Sequence, residues 1–261
     1  MVAPILAFVS VKGGVGKTTL ALETASSLAN HYGKKVLLVD ANFSAPNIGL
    51  YLDLTNEITL HDALLGVGLH NAIYEAHGFD VVPAAMDYSE EVDVYRLKKV
   101  LEKMKYRYDY IILDSSPHHS EMKPVIAAAD KIFVVTTPDH VTLATSLKAA
   151  MIAKKNNTPI EGVVVNRIRD PKHEEDLGDI EELMGLPVLA RIRDHKKMIK
   201  AMYHKIPITL HDERNCISRE ICRFVSSIVG EPEKPFRFFE LMLPFKMSFS
   251  KEIINRQLSK E

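Results

Sequence analysis

The sequence predicts an α/β fold of three layers, a mostly parallel central sheet with helices on both faces. Three observations predict it. Short apolar runs alternate with helical patterns along most of the 261 residues, as right-handed strand–helix–strand units do. Several runs are continuously apolar rather than alternating, the pattern of strands covered on both faces. A glycine-rich segment joins the first apolar run to the first helical pattern.

The first strand is Ile5–Val9. The apolar start has no basic region and no cleavage site, so it reads as a buried strand rather than a signal peptide. A helix follows over Lys17–His31, then strands at Val36–Val39 and Phe79–Val82. A helix over Glu90–Lys105 leads to a strand at Tyr110–Leu113, and Ile132–Thr136 is the next strand. The helices Thr142–Lys155 and Glu174–Met184 bracket the strand Gly162–Asn166, and Val188–Ile192 is the last strand. Composition shifts after Gly230, where Glu231-Pro232-Glu233-Lys234-Pro235 reads as a linker. The expected division is therefore one domain over residues 1–230 and a tail over 231–261.

The chain is 46% hydrophobic with a formal net charge of -1. That allows a sizeable core and gives no support for an obligate nucleic-acid binder. Two cysteines, Cys216 and Cys222, match no common zinc spacing and fit a reducing, cytoplasmic setting. No run of 18 apolar residues suggests a membrane span.

The segment Ser10-Val11-Lys12-Gly13-Gly14-Val15-Gly16-Lys17-Thr18-Thr19 has the composition and context of a phosphate-binding loop. Gly13, Gly14 and Gly16 let the backbone turn tightly and bring N–H groups, Val15's included, to a phosphate. The following helix adds its N-terminal dipole. Lys17 can reach the β- and γ-phosphates, Thr18 can place a hydroxyl on Mg²⁺, and Thr19 continues the cradle. Two strands end in acids, Lys35-Val36-Leu37-Leu38-Val39-Asp40 and Tyr110-Ile111-Ile112-Leu113-Asp114. Ligands of open α/β sheets bind at such carboxyl ends.

The stretch KGGVGKTT resembles the deviant phosphate loop of the MinD/ParA ATPases, and the resemblance covers roughly residues 3–228. It implies a P-loop NTPase fold with ATP and Mg²⁺ as ligands. It also implies a role for Lys12, which crosses a dimer interface to the partner's nucleotide. The ATP state is then a homodimer. Asp40 matches the aspartate that orients or activates the attacking water, and Asp114 the acid that holds a Mg²⁺-bound water. Ser44–Leu50 and Leu60–Gly66 match the segments that follow Asp40. Val163-Val164-Val165-Asn166-Arg167 resembles the family's V-x-N-R, whose asparagine reads adenine; an amide can both donate and accept. Arg193 stands in the loop beside the base, where it either stacks on adenine or is a solvated surface residue. Ser115-Ser116-Pro117-His118-His119 departs from the family pattern, with His118 where relatives often carry a glycine.

The tail holds five of the ten phenylalanines. Phe236, Phe239 and Leu243 share a helical face that Pro244 ends. MinD proteins end in an amphipathic helix that binds membrane when the ATP dimer forms, which implies peripheral membrane association through residues 235–261. Docking on the chain's own domain, an oligomer contact or a regulatory protein partner are the other readings. The function implied is an ATP-dependent switch for spatial positioning, such as cell-division site control. A DNA or plasmid partitioning ATPase and a metabolic ligase of the same fold are the alternatives, with DNA disfavoured by the neutral charge. Iron–sulfur relatives need cysteines this chain lacks.

Overall fold

The computed structural model describes residues 2–55, 57–88, 91–170 and 172–233. Eight strands form one sheet: β1 (Ile5–Val9), β2 (Val36–Ala41), β3 (Tyr74–Ala76), β4 (Phe79–Val82), β5 (Tyr110–Ser115), β6 (Lys131–Thr136), β7 (Ile160–Ile168) and β8 (Val188–Arg193). Their order is β3-β4-β2-β5-β1-β6-β7-β8, all parallel except β3 against β4. All seven expected strands are present.

Side chains alternate along each buried strand, so the sheet feeds two cores. Ile5, Ala7 and Val9 face one and Leu6 and Phe8 the other. The first core is covered by α3 (Leu60–Leu65), α4 (Leu97–Glu102), α5 (His119–Ala128), α6 (His140–Lys155) and α7 (Leu177–Met184). The second is covered by α1 (Lys17–Asn30), α2 (Ile48–Tyr51), α8 (Lys196–Tyr203), α9 (Ile208–His211) and α10 (Cys216–Val229). Phe8, Phe133 and Phe224 form an aromatic trio that presses α10 onto the strands, with centroids 5.2 to 6.1 Å apart. This is the three-layer arrangement expected.

Four differences have local causes. Strand β3 lacks an apolar run, being Tyr-Glu-Ala at the sheet edge. Its hairpin with β4 turns on His77 (φ 50°) and Gly78 (φ 85°), the positive-φ pair of a tight hairpin. The helix expected over Glu90–Lys105 is shorter: a 3₁₀ turn at Val94–Arg96 precedes α4, and Glu90 lies outside the described residues. Helix α6 starts two residues before Thr142 because Asp139 caps it, its carboxylate accepting from Thr142 N–H at 2.9 Å. Helix α7 begins at Leu177 because Asp176 caps it, three residues after the expected start.

Residues 231–233, expected as linker, lie on the domain. Lys34 pairs with Glu231 at 3.1 Å, and Arg223 with Glu233 at 2.8 Å. The Phe-rich part of the tail lies outside the described residues.

A buried carboxylate ties α1 to α9. Glu23 accepts from Ile208 N–H (2.7 Å), Thr209 N–H (3.1 Å) and Thr209 Oγ1 (2.9 Å). Burial raises its pKa to about 7, against the pull of those hydrogen bonds. A carboxyl whose folded value lies above its unfolded one contributes stability that is fully present below the unfolded value. That contribution is lost as pH rises through about 7. On the scale of 1.36 kcal/mol per pKa unit, about 3 kcal/mol of pH-dependent stability is expected from this one group. Urea unfolding from pH 4.5 to 8 is expected to show this downward slope, and Glu23→Gln to flatten it. An unchanged slope in the variant contradicts the assignment.

Candidate functional site

The site lies at the carboxyl ends of β1, β2 and β5, where the order of the central strands changes hand. Parallel pairing sets Asp40 beside Asp114, and Phe8 beside Asp114 on the other flank. Two carboxylates thus stand on adjacent strands under the loop Lys12–Thr19. Both are fully buried, and both pKa values are raised. Desolvation is the main cause for each; for Asp114 the Asp40 charge adds to it, while Thr18 and Lys17 oppose it.

The loop turns through Gly14 (φ 77°) and Gly16 (φ 99°) into α1. Gly16 meets a second constraint, because a Cβ there would lie 2.2 Å from Asn166 Nδ2. That amide donates to Val15 O at 2.8 Å, so the residue the resemblance assigns to adenine also braces the loop. Val15 is buried against the second core, which anchors the loop's middle. Gly13 and Gly14 are exposed at its crest.

Lys17 is 6% exposed, and its Nζ donates to Lys12 O at 3.3 Å. Burial lowers its pKa, with the Asp114 charge opposing. An ammonium held out of water and curled under its own loop is placed to exchange that carbonyl for phosphate oxygens. Thr18 Oγ1 donates to Asp114 Oδ2 at 2.6 Å. Asp114 Oδ1 is buried with no hydrogen-bond partner. An unsatisfied buried carboxylate oxygen beside a threonine hydroxyl fits a divalent cation's water shell, since Mg²⁺ keeps several waters and takes few protein ligands. Thr18 and Asp114 would hold that ion. Held there, Mg²⁺ would supply positive charge against a nucleotide's phosphates.

Asp40 is clamped. Its Oδ1 accepts from Asn42 N–H at 3.1 Å, and its Oδ2 accepts from Asn47 and Ile48 N–H at 3.0 Å each. The carboxylate expected to act on water is here the fastening of the segment Asn42–Ile48. Ser44 N–H also donates to Glu121 of α5 at 3.1 Å.

Lys12 does not point away from its own subunit. Its Nζ donates to Thr142 Oγ1 at 2.5 Å and lies 3.7 Å from Asp139 Oδ1. Desolvation would raise the Asp139 pKa, but hydrogen bonds from Thr137 and Thr142 and the Lys12 charge hold it at about 2. Asp139 and Thr142 were missed in the sequence. Asp139 before a helical pattern signals a cap, yet nothing local points to a lysine 127 positions earlier.

His118 occupies the glycine position at φ -73°, which any residue adopts, and its N–H donates to Ser116 Oγ at 3.0 Å. Pro117 seats this turn against the loop, 4.0 Å from where a Gly13 Cβ would be. Arg167 is exposed at φ 58°. Arg193 is engaged by Glu220: its Nε lies 2.7 Å from Glu220 Oε1, and its N–H donates to Oε2 at 2.9 Å. Its guanidinium is thereby tied to α10. Among the described residues, no cluster of three His, Cys, Asp or Glu side chains could cage a metal, and no helix is long and apolar enough to cross a membrane.

Known proteins resemble this chain in sequence and fold. A family model described as an AAA domain matches residues 3–157. The septum site-determining protein MinD of Bacillus subtilis is 30% identical over 236 residues, covering 85% of this chain and 87% of that one. The chromosome-partitioning ATPase Soj of Treponema pallidum is 34% identical over 247 residues, covering 86% and 96%. The structure of MinD from Pyrococcus horikoshii complexed with Mg-ADP superposes with a TM-score of 0.82 at 26% identity, covering 87% of this chain and 96% of that one. Sequence, sheet order and loop thus lead to one conclusion: the chain belongs to the MinD/ParA family of P-loop ATPases.

Proposed function

We propose that this chain is a MinD-like switch that binds Mg·ATP, dimerises face to face and resets by hydrolysis. Its output is spatial positioning, such as the choice of a division site. The observation that carries the reading is the placement of Lys12. Its ammonium is held by Asp139 and Thr142, whereas Lys17 and Thr18 turn to Lys12 O and Asp114. A cation so placed has a use in a second subunit, where it meets the negative charge on the partner's nucleotide. In its own subunit Lys17 already fills that role. Asp40 releases the Asn42–Ile48 segment when the dimer forms and is then free to orient water. Asn166 reads the adenine edge, flanked by Arg167 and Arg193.

Residues 235–261 are the output segment of this reading and bind a membrane surface once two copies are joined, since paired weak contacts gain by avidity. Liposome flotation that is unchanged by removing them would exclude that part.

Sedimentation tests the switch. With Mg·ATP, Asp40→Ala is expected to accumulate as a dimer, and Lys12→Ala to weaken it. Asp139→Asn frees Lys12 and is expected to tighten the dimer about two- to fivefold, the scale of a half-exposed ion pair. A monomer in every case, with ATP bound, sinks the switch. The likeness to Soj favours a second reading, chromosome partitioning. DNA retention that falls steeply with salt would support it.

A further inference from the structure

The chain is close to neutral, yet its charge is segregated along one helical layer. Residues 95–107, which include α4, hold six Lys or Arg and one acid, Glu102. Residues 170–182, which include most of α7, hold seven acids and one lysine, Lys172. Both stretches lie on the layer that covers the first core. There α4 packs on α5, α5 on α6 and α6 on α7, so the two stretches stand at opposite ends of a row of four helices.

Each end turns its charge outward. In α4 Leu97 and Leu101 are buried, while Lys98, Lys99 and Lys103 are exposed. Arg96 and Arg107 flank them, exposed as well, and Tyr95 beside them is 61% exposed. None of these five cations has an ion-pair partner among the described residues; Lys105, which is buried, takes Asp130 and Glu102. In α7 Ile180 and Met184 are buried, while Asp179 and Glu182 are exposed and likewise unpaired. Leu183 beside them is 48% exposed. Distance keeps the two ends from neutralising each other. Packed helices lie about 8–10 Å apart, so three spacings separate α4 from α7 by about 25–30 Å. The Debye length at physiological salt is only about 8 Å.

We propose that α4 of one copy docks on α7 of a second copy, with Lys98, Lys99 and Lys103 against Asp179 and Glu182. Stacking the two layers over their full width would also set Lys148 and Lys155, exposed on α6, against Lys123 of the second copy's α5. Only the ends of the two rows therefore overlap. Helices α4 and α7 run in the same direction within a subunit, because both lead into strands of the parallel sheet. Turning the second copy over while keeping the row's direction reverses its helices. The docked pair is thus antiparallel, and Tyr95 meets Leu183. A contact between two different patches leaves one of each kind free, so further copies add to an open string. The contact uses the outer face of the helices rather than the strand ends, needs no nucleotide, and does not rest on the switch reading above.

The test uses the full chain without nucleotide. Its sedimenting mass is expected to rise with concentration in about 0.05 M salt and to fall to the monomer's in about 0.5 M. Two charge-reversed variants, Lys98→Glu with Lys99→Glu and Asp179→Lys with Glu182→Lys, are each expected to weaken self-association at least about tenfold, since like charges then face each other. Circular dichroism checks that both stay folded. Mixing the two variants is expected to restore association, because each then carries the patch that the other lacks. A carbodiimide, which joins ammonium to carboxylate, is expected to link α4 lysines to Asp179 or Glu182 between isotope-labelled and unlabelled copies. A monomer at every concentration, variants that associate like the parent, an inert mixture, or cross-links confined to other segments overturns the docking. A monomeric chain whose Lys98 and Lys99 retain it on anionic vesicles gives the basic row to a lipid surface instead. A cross-linked series that stops at two copies overturns the open string alone.

Discussion

Replacing Lys17 with alanine is expected to lower the rate of ATP hydrolysis by about 10³-fold, the upper range for loss of one preorganised charge partner. The expectation rests on where the ammonium sits. Lys17 is 6% exposed, at the start of α1, with its Nζ turned back to Lys12 O. Burial makes its charge costly until a phosphate arrives, so its attraction to developing negative charge acts with little screening. No neighbour can substitute, because Lys12 is committed to Asp139 and Thr142. Removing Lys17 also takes away the cation that opposes the Asp40–Asp114 repulsion, so some loss of stability at neutral pH is expected beside the loss of rate. Single-turnover hydrolysis at saturating Mg·ATP checks this. A rate within tenfold of the parent would mean that Lys17 does not meet the phosphates.

Gly16→Ala is expected to carry the larger stability cost, about 3 kcal/mol. The backbone contribution comes from a non-glycine residue forced to φ 99°, a cost of about 1–3 kcal/mol. The second contribution is steric. The new Cβ would lie 2.2 Å from Asn166 Nδ2, so the amide must move and its bond to Val15 O is lost, about 1 kcal/mol more. Gly14→Ala is the matched control. Its φ is 77°, but a Cβ there meets nothing within 4 Å, so only the backbone cost of about 1 kcal/mol applies. Urea unfolding of both variants separates the two contributions. Equal losses would show that the contact with Asn166 carries no weight. Nucleotide affinity should fall in the Gly16 variant as well, since the displaced side chain is the one assigned to adenine.

These two glycines show how much of the site was legible beforehand. Their spacing marked a phosphate loop, and the apolar runs ending in Asp40 and Asp114 marked the two acids. Both signals are local, a few residues of pattern in one strand or turn. Strand β3 escaped because Tyr74, Glu75 and Ala76, none of them buried, carry no apolar run, and its evidence is the positive-φ turn at His77 and Gly78. The start of α4 escaped because an apolar period continued upstream through residues that form a 3₁₀ turn.

By itself the sequence determined the layered α/β fold, the loop that cradles phosphate, and the residue types at the strand ends. Apolar period and glycine placement express rules that act within one element. Tertiary structure decided how those residues are employed. It bound Lys12 to Thr142 across 130 positions, Asn166 to Val15 across 151, and Glu23 to Ile208 across 185. It also turned Asp40 from a free strand-end acid into the clamp of its own switch segment. Such partners are set by strand register and by which helix covers which face. No short stretch of chain encodes that choice, because it is the cooperative packing of the two cores that makes it.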